Sequence, residues 1–236
     1  MKIVALFLLA ISATAQPTPQ QVRLPTTGYP GLDKYRTSRI AVYVNDYGQL
    51  ARYRDANSAL KPPASDENRV VFFGDSITDI WKLDDSFPGK HYVNRGIGGQ
   101  TTSQMLVRFR QDVIDLQPKV VVVLAGTNDI AGNTGPITND DLEANLASLA
   151  DLAKAHGIRM IFASILPVNN YTPQSQEFFA SRPLERILAL NSWLKDYCAK
   201  DDLTYLDYFG PWWMTKGCSN AILPMTASIP TKLDLR

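Results

Sequence analysis

Histidine is scarce in this chain. Only His91 and His156 occur in 236 residues, so any chemistry that needs an imidazole has two places to find one. Cysteine is as scarce, with Cys198 and Cys218 alone. Two cysteines exclude a disulfide framework, although this pair could bond in an oxidising compartment. No Cys/His spacing has the form of a zinc site, and no metal or organic cofactor is expected. Neither sign of charge prevails: 24 Lys and Arg stand against 23 Asp and Glu. The basic excess that would draw the chain to nucleic acid or acidic membranes is therefore absent. There is no internal repeat, no Walker or dinucleotide fingerprint, and no apolar run long enough for a comfortable membrane span.

What is present is ordinary globular material, 45% apolar and 20% charged, long enough for one sizeable core. Residues 1–15 read as a Sec-type signal peptide. Lys2 supplies the positive end, Ile3 to Ile11 the apolar stretch, and Ala13-Thr14-Ala15 the small-residue cleavage site. The mature chain is then expected to begin at Gln16 and to be periplasmic or extracellular. No cysteine sits at the cleavage point, so no stable membrane anchor is expected. Residues 16–60 read as an arm or linker, rich in Pro, Thr and Gly as far as Asp33 and helical somewhere within Asn45 to Leu60.

From there a rhythm sets in. Apolar, β-rich runs occur at Arg69–Phe73, His91–Asn94, Lys119–Ala125, Ile158–Ile165 and Leu203–Asp207. Helical patterns lie between them at Thr102–Leu116, Thr138–His156 and Pro183–Lys200, with Gly157 placed to end the second. Near-continuous apolar strands alternating with helices predict an α/β fold: a three-layer α/β/α sandwich around a mostly parallel five-stranded sheet. Active sites in such sheets lie at the carboxyl ends of the strands.

Three unusual loops fall at those ends. In "VVFFGDSITD", Val70 to Asp79, Gly74 permits a sharp turn and Ser76 opens a helix, where backbone N–H groups can stabilise an anion. A capping serine would give the same local pattern. In "NRGIGGQTT", Asn94 to Thr102, Gly98 and Gly99 let backbone approach a ligand. In "VVVLAGTNDIAGN", Val121 to Asn133, a buried strand delivers Gly126, Thr127, Asn128 and Asp129. An Asn amide there can donate to a developing oxyanion or simply close a turn.

Together, in this order, the three blocks resemble the SGNH (GDSL-type) hydrolases, over Arg69 to about Phe209. "YLDYF", Tyr205 to Phe209, also resembles the segment before that family's last block. Within the family the chain is similar to small secreted esterases and to the platelet-activating-factor acetylhydrolase branch. The resemblance implies Ser76 as nucleophile. It implies an oxyanion hole made of the Ser76 N–H, the Gly99 N–H and the Asn128 side chain. Gly99 is preferred to Gly98 because it lies directly before Gln100-Thr101. Gly74, Asp75, Gly98, Thr127 and Asp129 are expected in support, with Asp75 shaping the turn. The implied substrate is a small-molecule ester.

The family's Asp-x-x-His block, which supplies the base, is missing. His91 begins a strand at the wrong end, and His156 sits in the last turn of a helix, where a positive charge is favoured. After Pro211 the text loses all period. Reading residues 212–234 back to codons shows why a reading-frame shift of one base near Pro211 is expected. Borrowing the last base of each preceding codon, Met225-Thr226 forces Asp at the position of Thr226. The code then allows Gly at Ala227, Ile, Leu or Val at Ser228, and His at Ile229. The opposite shift creates a stop codon at Met214-Thr215. The lost dyad would thus stand at Thr226 and Ile229, the domain would run over 61–211, and 212–236 would be an aberrant tail that has lost the final helix. A divergent tail is the alternative. The expected function is a secreted serine esterase for short-chain esters, impaired as it stands. A non-catalytic ligand-binding relative is the second reading, and a flavodoxin-like nucleotide binder a distant third.

Overall fold

The computed structural model describes residues 24–168 and 173–210. Helix α1 (Pro30–Asn45) and the short α2 (Arg54–Ala59) come first. The expected rhythm follows: β1 (Val70–Gly74), α3 (Ser76–Asp79), α4 (Leu83–Ser86), β2 (Val93–Gly96), α5 (Thr102–Asp112), β3 (Val120–Leu124), α6 (Thr127–Ala131), α7 (Asn139–Ala155), β4 (Arg159–Ala163), α8 (Pro173–Ala180), α9 (Leu184–Lys200) and β5 (Thr204–Leu206). The long helix expected over Thr102–Leu116 ends at Asp112, and a single 3-10 turn, Ile114–Leu116, completes it.

All five strands are parallel, in the order β2-β1-β3-β4-β5. The "mostly parallel" expectation thus becomes wholly parallel. Successive residues of β1 feed opposite faces. Val71 and Phe73 join Val121, Val123, Met160 and Phe162 beneath α5, α7 and α9. Val70 and Phe72 join Val120, Val122 and Ile161 on the other face, against Trp81, Leu83, Phe87 and Tyr208. Phe72 meets the Trp81 ring edge-on at 5.2 Å, a favoured aromatic geometry. Strands buried on both sides explain why the Val120–Val123 run shows no polar alternation.

The helices are built as their sequences allow. Leu142, Leu146, Leu149, Ala150 and Ala153 recur at helical spacing and bury one stripe of α7. Thr138 caps its start by accepting from the Asp141 N–H at 3.1 Å. Gly157, just past its end, takes φ +66°, as a left-handed helix terminator does.

Register places the site. Gly74 pairs with Gly96 on one side and with Leu124 on the other. The loops that leave β1, β2 and β3 therefore start level with one another. The chain adds β2 on one side of β1 and β3 on the other, so the β1/β3 junction is the topological switch point where doubly wound sheets open a crevice.

The N-terminal arm departs most from expectation. Its long helix lies at Pro30–Asn45, in a region read largely as linker, while Asn45–Leu60 holds only the six residues of α2. This segment is strapped to the body by side-chain amides. Gln100 donates to Gly48 O at 3.0 Å, Gln104 to Tyr47 O at 2.9 Å and Gln111 to Leu50 O at 2.7 Å. No helix among the described residues is long and apolar enough to cross a membrane. Residues 1–23, the proposed signal peptide among them, and the tail with Thr226 and Ile229 lie outside the described residues. So does Cys218; Cys198 is buried in the core.

Candidate active site

β1 ends at Gly74 and the chain turns within two residues into α3. A Cβ on Gly74 would fall 2.7 Å from the Leu124 carbonyl oxygen, so only glycine lets β1 and β3 stay paired at this point. Asp75 caps α3: its Oδ1 accepts from the Ile77 N–H at 2.9 Å. Ser76 is the first residue of the helix and is exposed. The turn expected from sequence is present, with Asp75 shaping it.

Asp75 itself is an uncomfortable residue. Its side chain is buried, and its second oxygen has no hydrogen-bond partner among the described residues. Burial pushes its pKa up from 3.8 to about 7, against the opposing pull of the Ile77 N–H and Arg182. The folded state therefore holds this proton more tightly than the unfolded chain. The stability involved is complete below pH 3.8 and is lost as pH rises through 7. Asp75→Asn keeps the Oδ1 acceptor and removes the charge. This variant is expected to be about 1–2 kcal/mol more stable than the parent at pH 8, with the gap closing by pH 4. Urea midpoints at the two pH values check this; a gap independent of pH would refute it.

The glycine loop lies against α3. The Gly98 N–H donates to Asp79 Oδ2 at 3.0 Å, and a Cβ on Gly98 would stand 3.7 Å from Ser76 Cβ. Gly99 takes φ +79°, and a Cβ there would collide with the Tyr35 hydroxyl of α1. Helix α1 thus closes over the glycine loop, which its reading as a linker did not foresee. Gly99→Ala is expected to cost about 2 kcal/mol, part from the left-handed backbone and part from the collision. In a Tyr35→Ala background the second part disappears. Urea melts of the four proteins check this; equal costs in both backgrounds would show that Tyr35 does not press on Gly99.

The third loop clamps the second. Asn128, 4% exposed, donates through Nδ2 to Gln100 O at 3.0 Å. Asn133 donates to Gly99 O at 2.9 Å. Asp129 accepts from the Thr102 N–H at 3.0 Å and from the Thr102 hydroxyl at 2.6 Å. Burial raises the Asp129 pKa to about 6, and the Thr102 hydrogen bonds oppose the shift. Thr127 is buried at the start of α6 beside them. Of the residues expected at the site, Ser76, Gly98, Gly99, Asn128 and their supports therefore gather where the three loops touch at the carboxyl edge, while Thr226 and Ile229 lie outside the described residues.

Sequence reasoning missed the residues that hold these loops. Arg108 of α5 is fully buried. It donates to Gly74 O at 3.1 Å, to Arg95 O at 2.9 Å and to the Gln100 side chain, and it pairs with Asp112 at 3.0 Å. The stripe Gln104, Arg108, Asp112, at i, i+4, i+8 beside the apolar Met105 and Phe109, is the signal that could have found it. Arg182, two residues past the end of α8, reaches Asn128. The two histidines stay where sequence put them. His91 is exposed ahead of β2, and His156 caps the end of α7 ahead of β4. Both lie at the amino edge, opposite Ser76.

This constellation has relatives. A crystal structure of a GDSL-like lipase from Bacteroides thetaiotaomicron is similar at 40% identity, with TM-score 0.64 over 70% of this chain and 80% of that one. The uncharacterized lipoprotein YqeF of Bacillus subtilis is 31% identical over 132 residues, 48% of this chain and 54% of its own length. Platelet-activating factor acetylhydrolase IB subunit alpha1 of Rattus norvegicus is 35% identical over 79 residues, 30% of this chain and 33% of its own. The chain thus spans about half and a third of these two curated relatives. The family model for GDSL-like lipases/acylhydrolases matches residues 72–223, running past Pro211 where the reading frame is expected to shift. With the Ser76 turn, the Gly98-Gly99 loop and the Asn128 loop gathered on a wholly parallel sheet, the chain belongs to the GDSL-like lipase/acylhydrolase family.

Proposed function

We propose that this chain derives from a secreted or periplasmic serine esterase acting on short-chain carboxylic esters. Ser76 Oγ attacks the ester carbonyl. The Ser76 and Gly99 N–H groups and Asn128 Nδ2 receive the charge that forms on the carbonyl oxygen. The observation that carries this reading is an exposed serine at a helix start, at the switch point, with the glycine and asparagine loops bonded together beside it. Acyl transfer needs donors fixed in advance where negative charge develops, and losing one typically costs about 10²–10³ in rate. The acetylhydrolase relatives support a short acyl group. The polar and aromatic composition of Ile165 to Arg182 suits short acyl esters, acetylated carbohydrates among them, better than long lipid chains, and leaves lysophospholipid-like esters open.

The base is the open position. Neither histidine is at the carboxyl edge, which favours a second reading: a non-catalytic relative that binds esters or sugars in the same crevice. A fluorophosphonate probe separates the two, because it reacts only with an activated serine. The chain as it stands is expected to label very slowly and only at Ser76, and Ser76→Ala not at all. Fast labelling at a site other than Ser76 would overturn the assignment of the nucleophile. Complete absence of labelling, even after the Asp and His are restored, would establish the binding reading.

A further inference from the structure

An asparagine in an oxyanion hole has to present its nitrogen, yet its amide carries an oxygen of nearly the same shape. Something has to hold the right end forward. Asn128 is held at both ends. Its Nδ2 donates to Gln100 O at 3.0 Å, which leaves the second amide hydrogen free for a ligand. Its Oδ1 accepts from Arg182 Nη2 at 3.2 Å. Turning the amide over would set Oδ1 against the Gln100 carbonyl, two acceptors, and Nδ2 against the guanidinium, two donors. Both contacts would be repulsive, between two side chains that are both buried.

Arg182 is built in for this task. It is 8% exposed. Its Nη1 donates to Phe178 O at 3.3 Å and to Ser181 Oγ at 3.0 Å, and the guanidinium lies 5.3 Å from the centre of the Phe178 ring. These contacts spend one arm of the fork on α8 and leave the other for Asn128. Burial pulls its pKa down and Asp75 opposes that, but a planar guanidinium still carries its charge at neutral pH and can hold a carbonyl oxygen in this way. Positive charge on Oδ1 also withdraws electrons through the amide, which makes its N–H a stronger donor to an oxyanion.

We propose that Arg182 is a positioning residue: it fixes the Asn128 amide with Nδ2 toward the reacting carbonyl and strengthens that donor. The inference rests on the acylhydrolase reading for its purpose, but the orientation itself can be read without turnover. The first measurement is therefore made on the full chain as it stands, by ¹H–¹⁵N correlation of the Asn128 side-chain amide. In Arg182→Met this amide pair is expected to move by more than about 0.3 ppm and to exchange with water about tenfold faster. In Arg182→Lys, which keeps a charged donor, the change is expected to be smaller. An Asn128 amide unmoved in Arg182→Met overturns the proposal. If the methionine variant loses dispersion generally, Arg182→Gln, which removes the charge but keeps a polar head, takes its place, and an Asn128 amide unmoved there overturns the proposal.

The second measurement uses the chain with the Asp and His restored, and p-nitrophenyl acetate. Arg182→Met is expected to lower kcat about tenfold with KM changed less than twofold, and to cost nothing further in an Asn128→Ala background. A merely structural role would raise KM or add fully to Asn128→Ala, and either result overturns the proposal. If no Ser76-dependent turnover exists even then, the esterase reading fails. The amide measurement still decides whether Arg182 orients Asn128.

Discussion

Restoring one reading frame is expected to change activity more than any single substitution. A chain recoded after Pro211, so that Asp stands at Thr226 and His at Ile229, should turn over p-nitrophenyl acetate about 10⁴–10⁶ times faster than the chain as it stands. The estimate follows from what a serine loses without its base. In a serine hydrolase, removal of the histidine costs about 10⁶ in turnover, while the oxyanion hole and binding alone preserve roughly 10³–10⁴ over water. On the proposed esterase reading, the described residues hold the parts that would survive such a loss. Ser76 is exposed on its turn, and the glycine and asparagine loops are bonded in place. Both histidines stand at the far edge of the sheet. The measurement is steady-state hydrolysis by four proteins: the chain as it stands, the recoded chain, and each with Ser76→Ala. Ordinary enzyme rates in the chain as it stands, abolished by Ser76→Ala, would mean that a base exists in the present text. Equal and low rates in both would remove the frameshift as the explanation.

The parts of the fold that were legible were those whose burial is written in side-chain type. A run of valines such as Val120–Val123 has only one comfortable place, inside a parallel sheet. Gly74 was legible because the turn after it admits no Cβ. Helix α1 was not legible. It buries Leu32 and Arg36 and sets Tyr35 against Gly99. Its inward face is thus carried by arginine and tyrosine, which composition assigns to the surface. Its docking also depends on partners far away in sequence: the Leu32 N–H donates to Glu177 at 2.8 Å, and the Tyr29 hydroxyl to Ala180 O at 3.0 Å. The same limit hid Arg182. An arginine before a proline is unremarkable until Asn128, 54 residues earlier, is seen to face it. At the site, then, the atoms assigned to the chemistry sit in short local blocks. The atoms that aim them come from distant segments, where the polar stripe Gln104, Arg108, Asp112 is a local trace and Arg182 leaves none.

Arg108 is where that distinction becomes largest in free energy. It is a fully buried guanidinium, 4.1 Å from the centre of the Phe73 ring, and burial lowers its pKa to about 10 against the pull of Asp112. It still carries its charge at neutral pH, because four acceptors surround it: Gly74 O at the end of β1, Arg95 O in β2, the Gln100 side chain in the glycine loop and Asp112 on its own helix. Arg108→Met fills much of the space but takes the guanidinium donor from all four. Asp112 would keep Asn57 at 2.7 Å and lose the only cation within salt-bridge reach among the described residues. Removing one member of a buried ion pair typically costs about 3–5 kcal/mol, because the remaining charge stays buried. The expected loss is of that size, read as a fall in urea midpoint at pH 7 with an unchanged slope. Removing the carboxylate as well, in Arg108→Met/Asp112→Leu, should recover part of the loss. It should not recover all of it, since Arg95 O and the Gln100 side-chain oxygen lose the Arg108 donor and Gly74 O keeps only the Ile97 N–H at 3.0 Å. If the double variant regained full stability, Arg108 would be no more than the counter-ion of Asp112. If it does not, the residue's main task is to hold the end of β1, the end of β2 and the glycine loop in one register, so that Ser76 and Gly99 face the same point.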